Sequence, residues 1–167
     1  MKTVNDNSEI NDIRSQPDFK GITLSGYKKT DVKKQLLESI KTKKIEQACY
    51  WSGEIICAGH YIELWEIYLH YVCKYIHLGN PKIARYLDNR FTVFRNIMMQ
   101  GQFLNELQLR NHPVIRQLFA EITCIVCLSD RKNSIEPVKI KKEEFDITQI
   151  SEKLIAPNVK YLSLIHI

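Results

Sequence analysis

The sequence predicts a mostly α-helical protein: an irregular bundle or short α-solenoid of five to six helices, with a flexible N-terminal arm and at most one short strand. Three observations predict it. Apolar residues recur at steps of three and four through most of the chain, the spacing that lines one face of a helix. Helix-starting signals at Asn80-Pro81 and Asn111-His112-Pro113 alternate with glycine stops at Gly59, Gly79 and Gly101. Glycine (6) and proline (5) are scarce in 167 residues, too few for a chain built of tight β-turns. No repeat of fixed period emerges, so the bundle ranks ahead of the solenoid.

The elements follow in order. Residues 1–29 are rich in Asn, Asp and Ser, are broken by Pro17, Gly21 and Gly26, and show no period. They read as a disordered or loosely attached arm. Residues 30–128 form the helical core. Thr30 can cap a first helix from Asp31 to about Lys41, with Val32, Leu36, Leu37 and Ile40 as its apolar stripe. A second runs from Lys43 or Lys44 to Ala58, and Cys49, Ser52 and Gly53 give it a small face for close helix packing. The third, His60 to Leu78, has the clearest pattern. His60, Glu63, Glu66, His70, Lys74 and His77 make one polar stripe, and an apolar arc wide enough for burial on more than one side covers the rest.

A fourth helix starts at Asn80-Pro81, carries Ile83, Leu87, Phe91, Phe94 and Met98 inward, and ends near Gly101. A short piece from Phe103 to Arg110 turns Leu104 and Leu107 in, and a fifth long helix runs from Pro113 to about Leu128. Residues 129–162 read as a polar loop, a short strand or extended segment at Val138–Lys141, and a last helix opened by Asp146 with Gln149 and stopped by Pro157. Residues 163–167 look like a non-native tail of translated sequencing-adapter read-through, so the natural protein is expected to continue past Leu162.

Composition narrows the function classes. Hydrophobic residues make up 44% of the chain and charged residues 26%, enough of the first to bury a core. The formal charge of +5 permits contact with nucleic acid or an acidic partner without demanding it. The five cysteines are an odd number, most of them within apolar stretches. No charged segment followed by an apolar one opens the chain, so the thiols are expected to be reduced and the protein to be soluble and intracellular. The apolar run from Tyr61 to Leu78 is too interrupted by charge to span a membrane.

Three constellations could carry chemistry. Cys124 and Cys127 have a metal-ligand spacing, with Cys57/His60 and Cys73/His77 as possible second pairs. They lie at the apolar end of a helix, where cysteine serves as a small hydrophobe, so core packing is the first reading and no cofactor is expected. Glu66 and His70, four apart, could share a metal or a proton, but the duplicate motif that helical metal sites need is missing, and a solvated face is preferred. Lysines crowd the first helix. Lys33, Lys34, Lys41, Lys43 and Lys44, with Arg85 on the fourth helix, are the candidate surface for nucleic acid or a partner, since phosphate contact needs convergent cations and little else. No glycine-rich phosphate loop, no nucleophile elbow and no nucleic-acid-reading motif accompanies them.

Several segments are distinctive: Ile45-Glu46-Gln47-Ala48-Cys49-Tyr50-Trp51-Ser52, Leu64-Trp65-Glu66, Tyr75-Ile76-His77-Leu78-Gly79-Asn80-Pro81-Lys82 and Leu107-Gln108-Leu109-Arg110-Asn111. Together they resemble an uncharacterised protein family of the large nucleocytoplasmic DNA viruses, mimivirus-like and algal viruses above all, over about Asp31 to Tyr161. The resemblance implies a viral protein acting in the cytoplasm or nucleus of an infected cell, or in the virion, and a chain that continues with more helices. It implies no activity and no functional residues.

The expectation is therefore a non-enzymatic helical interaction or scaffold module, an accessory protein of viral replication, transcription or assembly with a protein partner. Surplus Tyr and Trp suit such a role, because they give large contact area at low entropic cost. The alternatives are a nucleic-acid-binding protein using a basic face and, behind it, an enzyme domain completed by a further C-terminal region.

Overall fold

A computed structural model describes residues 9–100 and 106–134. The chain is an all-α bundle of α1 (Lys29–Lys41), α2 (Ile45–Cys57), α3 (Tyr61–Tyr71), α4 (Ile83–Gln100) and α5 (Pro113–Leu128). Shorter 3-10 turns lie at Gln16–Phe19, His77–Gly79 and Glu106–Asn111, and no strand occurs among the described residues. The only extended pairing among them is an isolated bridge between Ile22 and Lys28. The strand expected at Val138–Lys141, the helix opened by Asp146, the inward-facing Leu104 and the tail at 163–167 lie outside the described residues.

α1 and α2 form an antiparallel hairpin with α5 packed on α2. Val32, Leu36 and Ile40 are buried as the period requires. The helix starts two residues before Asp31, because the Lys29 amide already donates to Gly21 O at 3.0 Å and the Lys28 carbonyl accepts from Val32 at 3.1 Å. Backbone contacts thus replace the expected Thr30 cap. α2 ends as predicted at Gly59, whose φ of 80° suits glycine. The His60 amide reaches Ile55 O at 3.1 Å and the Gly59 amide Ile56 O at 2.9 Å, a Schellman closure. The expected small face is used at Cys49 and Ser52. Cys49 Sγ lies 3.9 Å from Cys124 Sγ on α5, and Ser52 is buried. Gly53 is not part of it, since a Cβ there would meet nothing within 4 Å.

α3 is the central helix. Tyr61, Leu64, Trp65, Ile67, Tyr68 and Tyr71 are all buried, which fits the wide apolar arc. The Tyr68 hydroxyl, fully enclosed, donates to Ser52 Oγ at 3.0 Å and lies 2.6 Å from Thr123 Oγ1, so one phenol ties α2, α3 and α5 together. The helix does not run on regularly to Leu78: Val72–Ile76 form a π turn and His77–Gly79 a 3-10 turn. Asn80 is not a side-chain cap. Its Nδ2 donates to Ser129 Oγ at 3.0 Å, and α4 begins at Ile83.

α4 joins the bundle through an aromatic cluster. Phe94 meets Phe119 at 5.7 Å between ring centroids, and Trp65 meets Phe119 at 5.4 Å and Phe91 at 5.2 Å, mostly edge-on or tilted as ring quadrupoles prefer. Tyr86 Oη donates to Glu121 Oε1 at 2.9 Å and adds a polar tie to α5.

The loosely attached arm is corrected for residues 9–28, which dock on the bundle. Phe19 is fully buried with Ala58 and Leu107. Glu54, 6% exposed, accepts from Thr23 Oγ1 at 2.9 Å, Ser25 N–H at 3.0 Å and Ser25 Oγ at 2.6 Å, so the carboxylate is satisfied by hydroxyls and an amide. Arg110, 5% exposed, donates to Asp12 O at 3.0 Å. Asn111 does not cap α5. Its Nδ2 donates to Ile10 O at 3.0 Å and its Oδ1 accepts from Ile10 N–H at 2.7 Å. These long-range contacts leave no periodic trace, which is why composition alone misreads the segment.

Candidate functional site

The thiols come first. Cys124 and Cys127 lie on α5 facing α2, with Cys127 buried. Loss of hydration pushes the Cys127 thiol up to about 12 and the Cys49 thiol up to about 11, the latter also through the neighbouring Cys124. Cys73, on the π turn, is exposed, and burial raises Cys57. Among the described residues no group of three or more His, Cys, Asp or Glu side chains converges as a metal site. Glu66 and His70 are exposed on α3.

A small cleft of about 170 Å³ gathers Lys29, Lys33, His60, Glu63 and Glu66 between α1 and α3. Lys29 pairs with Glu63, whose carboxyl partial burial would raise but the ammonium holds below the usual range. His60 Nε2 donates to Ile22 O at 2.9 Å, and Nδ1 lies 3.9 Å from Glu63 Oε1. Lys29, His60 and Glu63 thus have structural partners in one another and in the Ile22 carbonyl, at the entry to α3.

The candidate lysines do not share one face. Lys33 stands with Lys29 beside Glu63 and Glu66, whereas Lys34 and Lys41 lie seven apart on another side of α1. Lys41 Nζ sits 5.3 Å from the centre of the Tyr75 ring, and Lys43 Nζ lies 3.8 Å from Asp130 Oδ1. Lys44 is exposed at the start of α2, and Arg85 is exposed on α4, a separate element. The structure therefore gathers Lys41, Lys43 and Lys44 at one end and sets Lys33, Lys34 and Arg85 apart from that group.

A long concave surface lies between α3 and α4. Two adjoining parts of about 440 and 300 Å³ share Trp65, Leu69 and Phe91. Trp65 forms the floor. Its ring is buried, and Nε1 has no hydrogen-bond partner among the described residues. Ile62 (59% exposed), Leu69 (48%) and Phe91 (40%) stand open at the walls. Phe91 was expected to face inward. It does so only halfway, because α4 meets the bundle through Phe94 and Leu87 and leaves the Phe91 edge in the groove. Leu69 is not singled out by the sequence reading, and helical spacing does not say which side of α3 a neighbouring helix leaves uncovered.

Compared with protein-family models, curated proteins and solved structures, the chain matches none. Among the described residues no helix is long and apolar enough to cross a membrane.

Proposed function

We propose that this protein is a non-enzymatic interaction module whose docking surface is the α3–α4 groove, and that the occupant is an amphipathic helix of a partner protein. The groove carries this reading: an apolar trough with an aromatic floor, walled by half-exposed Ile62, Leu69 and Phe91. From Tyr61 to Cys73 it follows about 12 residues of helix, roughly 18 Å at 1.5 Å per residue, which suits three turns of a third helix laid between two. Full burial of such side chains is worth about 1.5–3 kcal/mol each, so the exposed portions of the three would return about 2–4 kcal/mol. Glu66, Asp88 and Arg95 also line the groove, so a fitting helix carries basic residues toward the first two and an acidic one toward Arg95. In the viral setting that the resemblance implies, such a module would link larger components of replication, transcription or assembly.

Display selection of amphipathic helices against the folded chain tests this. Binders should carry apolar residues at i, i+4 and i+7 and lose affinity at least tenfold on Leu69→Glu or Phe91→Glu, each variant being checked for native helicity. Enriched binders indifferent to both substitutions, or that prove to compete with self-association of the chain, would count against it.

A further inference from the structure

At the end of the bundle where α1 turns into α2, where α3 ends and where the chain leaves α5, the fold assembles a basic surface. Segments 41–44, 71–80 and 129–134 bring together Lys41, Lys43, Lys44, Lys74, Arg131 and Lys132 against a single carboxylate, Asp130. They converge in space as well as in count. Lys41 Nζ lies 5.3 Å and Lys74 Nζ 5.6 Å from the centre of the Tyr75 ring. The Lys132 amide donates to Tyr75 O at 2.9 Å. Arg131 lies beside the Tyr71 phenol, which burial raises and the guanidinium pulls back down. Lys43 reaches Asp130.

The surface is built rather than incidental. His77 Nε2 donates to Asn133 O at 2.8 Å, Asn80 holds Ser129, and Gly79 packs so closely that a Cβ there would run into the Asp130 carbonyl. His77 sits at φ 27°, ψ −105°, a left-handed backbone conformation that strains a non-glycine residue. The π turn Val72–Ile76 immediately precedes it. Strain and π turns persist where a surrounding structure or a function requires them, and here both fall at one place. A shallow cleft of about 520 Å³ opens there, lined by His77, Leu78, Arg131, Lys132 and Asn133.

We propose that this end binds the phosphate backbone of nucleic acid without reading sequence. Cations from three segments, two of which are tied together through the Lys132 amide and His77, with Asp130 the one carboxylate within those segments, meet the need of phosphate contact. No strand or recognition helix reaches out to read base edges among the described residues. The proposal stands apart from the α3–α4 groove, with which it shares none of these cations.

Fluorescence anisotropy of a labelled 20-nucleotide single strand and of the matching duplex, titrated from 20 to 200 mM salt, tests it. Saturable binding should weaken on a log–log slope of several units. Arg131→Glu with Lys132→Glu should lower affinity at least tenfold and reduce the slope by about two, and Lys43→Glu with Lys44→Glu should act similarly. Lys33→Glu with Arg85→Glu, an equal loss of charge elsewhere, should change affinity less than threefold. Thermal melts confirm that each variant is folded. No saturable binding at 20 mM salt, an equal loss in the control variant, or binding confined to phosphatidylserine vesicles would each overturn the proposal.

Discussion

Replacing Phe19 with alanine tests whether residues 9–28 belong to the folded body. The ring is fully buried, packed on Ala58 and Leu107, with Leu24 partly covering it and the Arg14 guanidinium 4.6 Å from its centre. Phe-to-Ala truncation in a core costs about 3–5 kcal/mol. This satellite cluster lies at the rim, where neighbours can collapse into the space, so the lower end of about 3 kcal/mol applies. The exposed cation–π contact adds at most about 0.5–1 kcal/mol. The loss need not appear as global unfolding. The segment is held by Phe19, by the Glu54 bonds to Thr23 and Ser25, and by Arg110 and Asn111, so it can open as one local unit. Amide exchange separates the two outcomes. In the parent, the Ile22 and Thr23 amides, bonded to Phe19 O and Tyr27 O, should be protected. In Phe19→Ala their protection should fall about a hundredfold, the factor that about 3 kcal/mol corresponds to, while α3 amides change less. Unchanged protection at Ile22 and Thr23 together with an unchanged urea midpoint would refute the docking.

Other predictions follow from the same contacts. Tyr68→Phe leaves Ser52 Oγ buried without its donor and should destabilise the fold by about 1–3 kcal/mol in urea denaturation. Asp12 is held down to about 2 by the side-chain and backbone hydrogen bonds from Arg14, with Arg110 adding to them. A carboxyl lowered on folding contributes stability above its ordinary range that is lost as pH falls through the folded value, so docking of residues 9–14 should weaken between about pH 4 and 2. Asp12→Asn should flatten that limb in a pH series of amide exchange. Among the thiols, exposed Cys73 should react first with a disulfide reagent, and Cys127, buried and raised to about 12, last. Mass spectrometry of partially labelled protein gives the order.

The helices are legible in the sequence because each buries one face against the same core. Val32, Leu36 and Ile40, or Ile115, Leu118, Phe119 and Ile122, repeat at the helical step, and Gly59 supplies the positive φ that ends α2. What was not legible depends on partners distant in sequence. Phe19 lacks periodic companions because its neighbours come from α2 and from the turn before α5. Glu54 and Arg110 look like solvated charges until their partners, 29 and more positions away, are in view. The π turn leaves no mark, since Val72 and Ile76 keep the spacing of an ordinary helix. The basic surface was half visible. Lys41, Lys43 and Lys44 stood out as a run, but Lys74, Arg131 and Lys132 are scattered along the chain, and only the meeting of helix ends unites them. The groove was invisible for a related reason: spacing shows that Leu69 and Phe91 are apolar, not that α4 leaves them half uncovered.

The α3–α4 groove as a docking surface is tested most directly by amide and indole NMR of the folded chain titrated with a helix obtained by display selection. The largest shifts should fall at the Trp65 indole N–H and at the amides around Leu69 and Phe91, saturate with the peptide, and be absent in Leu69→Glu. Shifts that map instead to α1, or to the surface around His77 and Arg131 with the Trp65 indole unmoved, would contradict it.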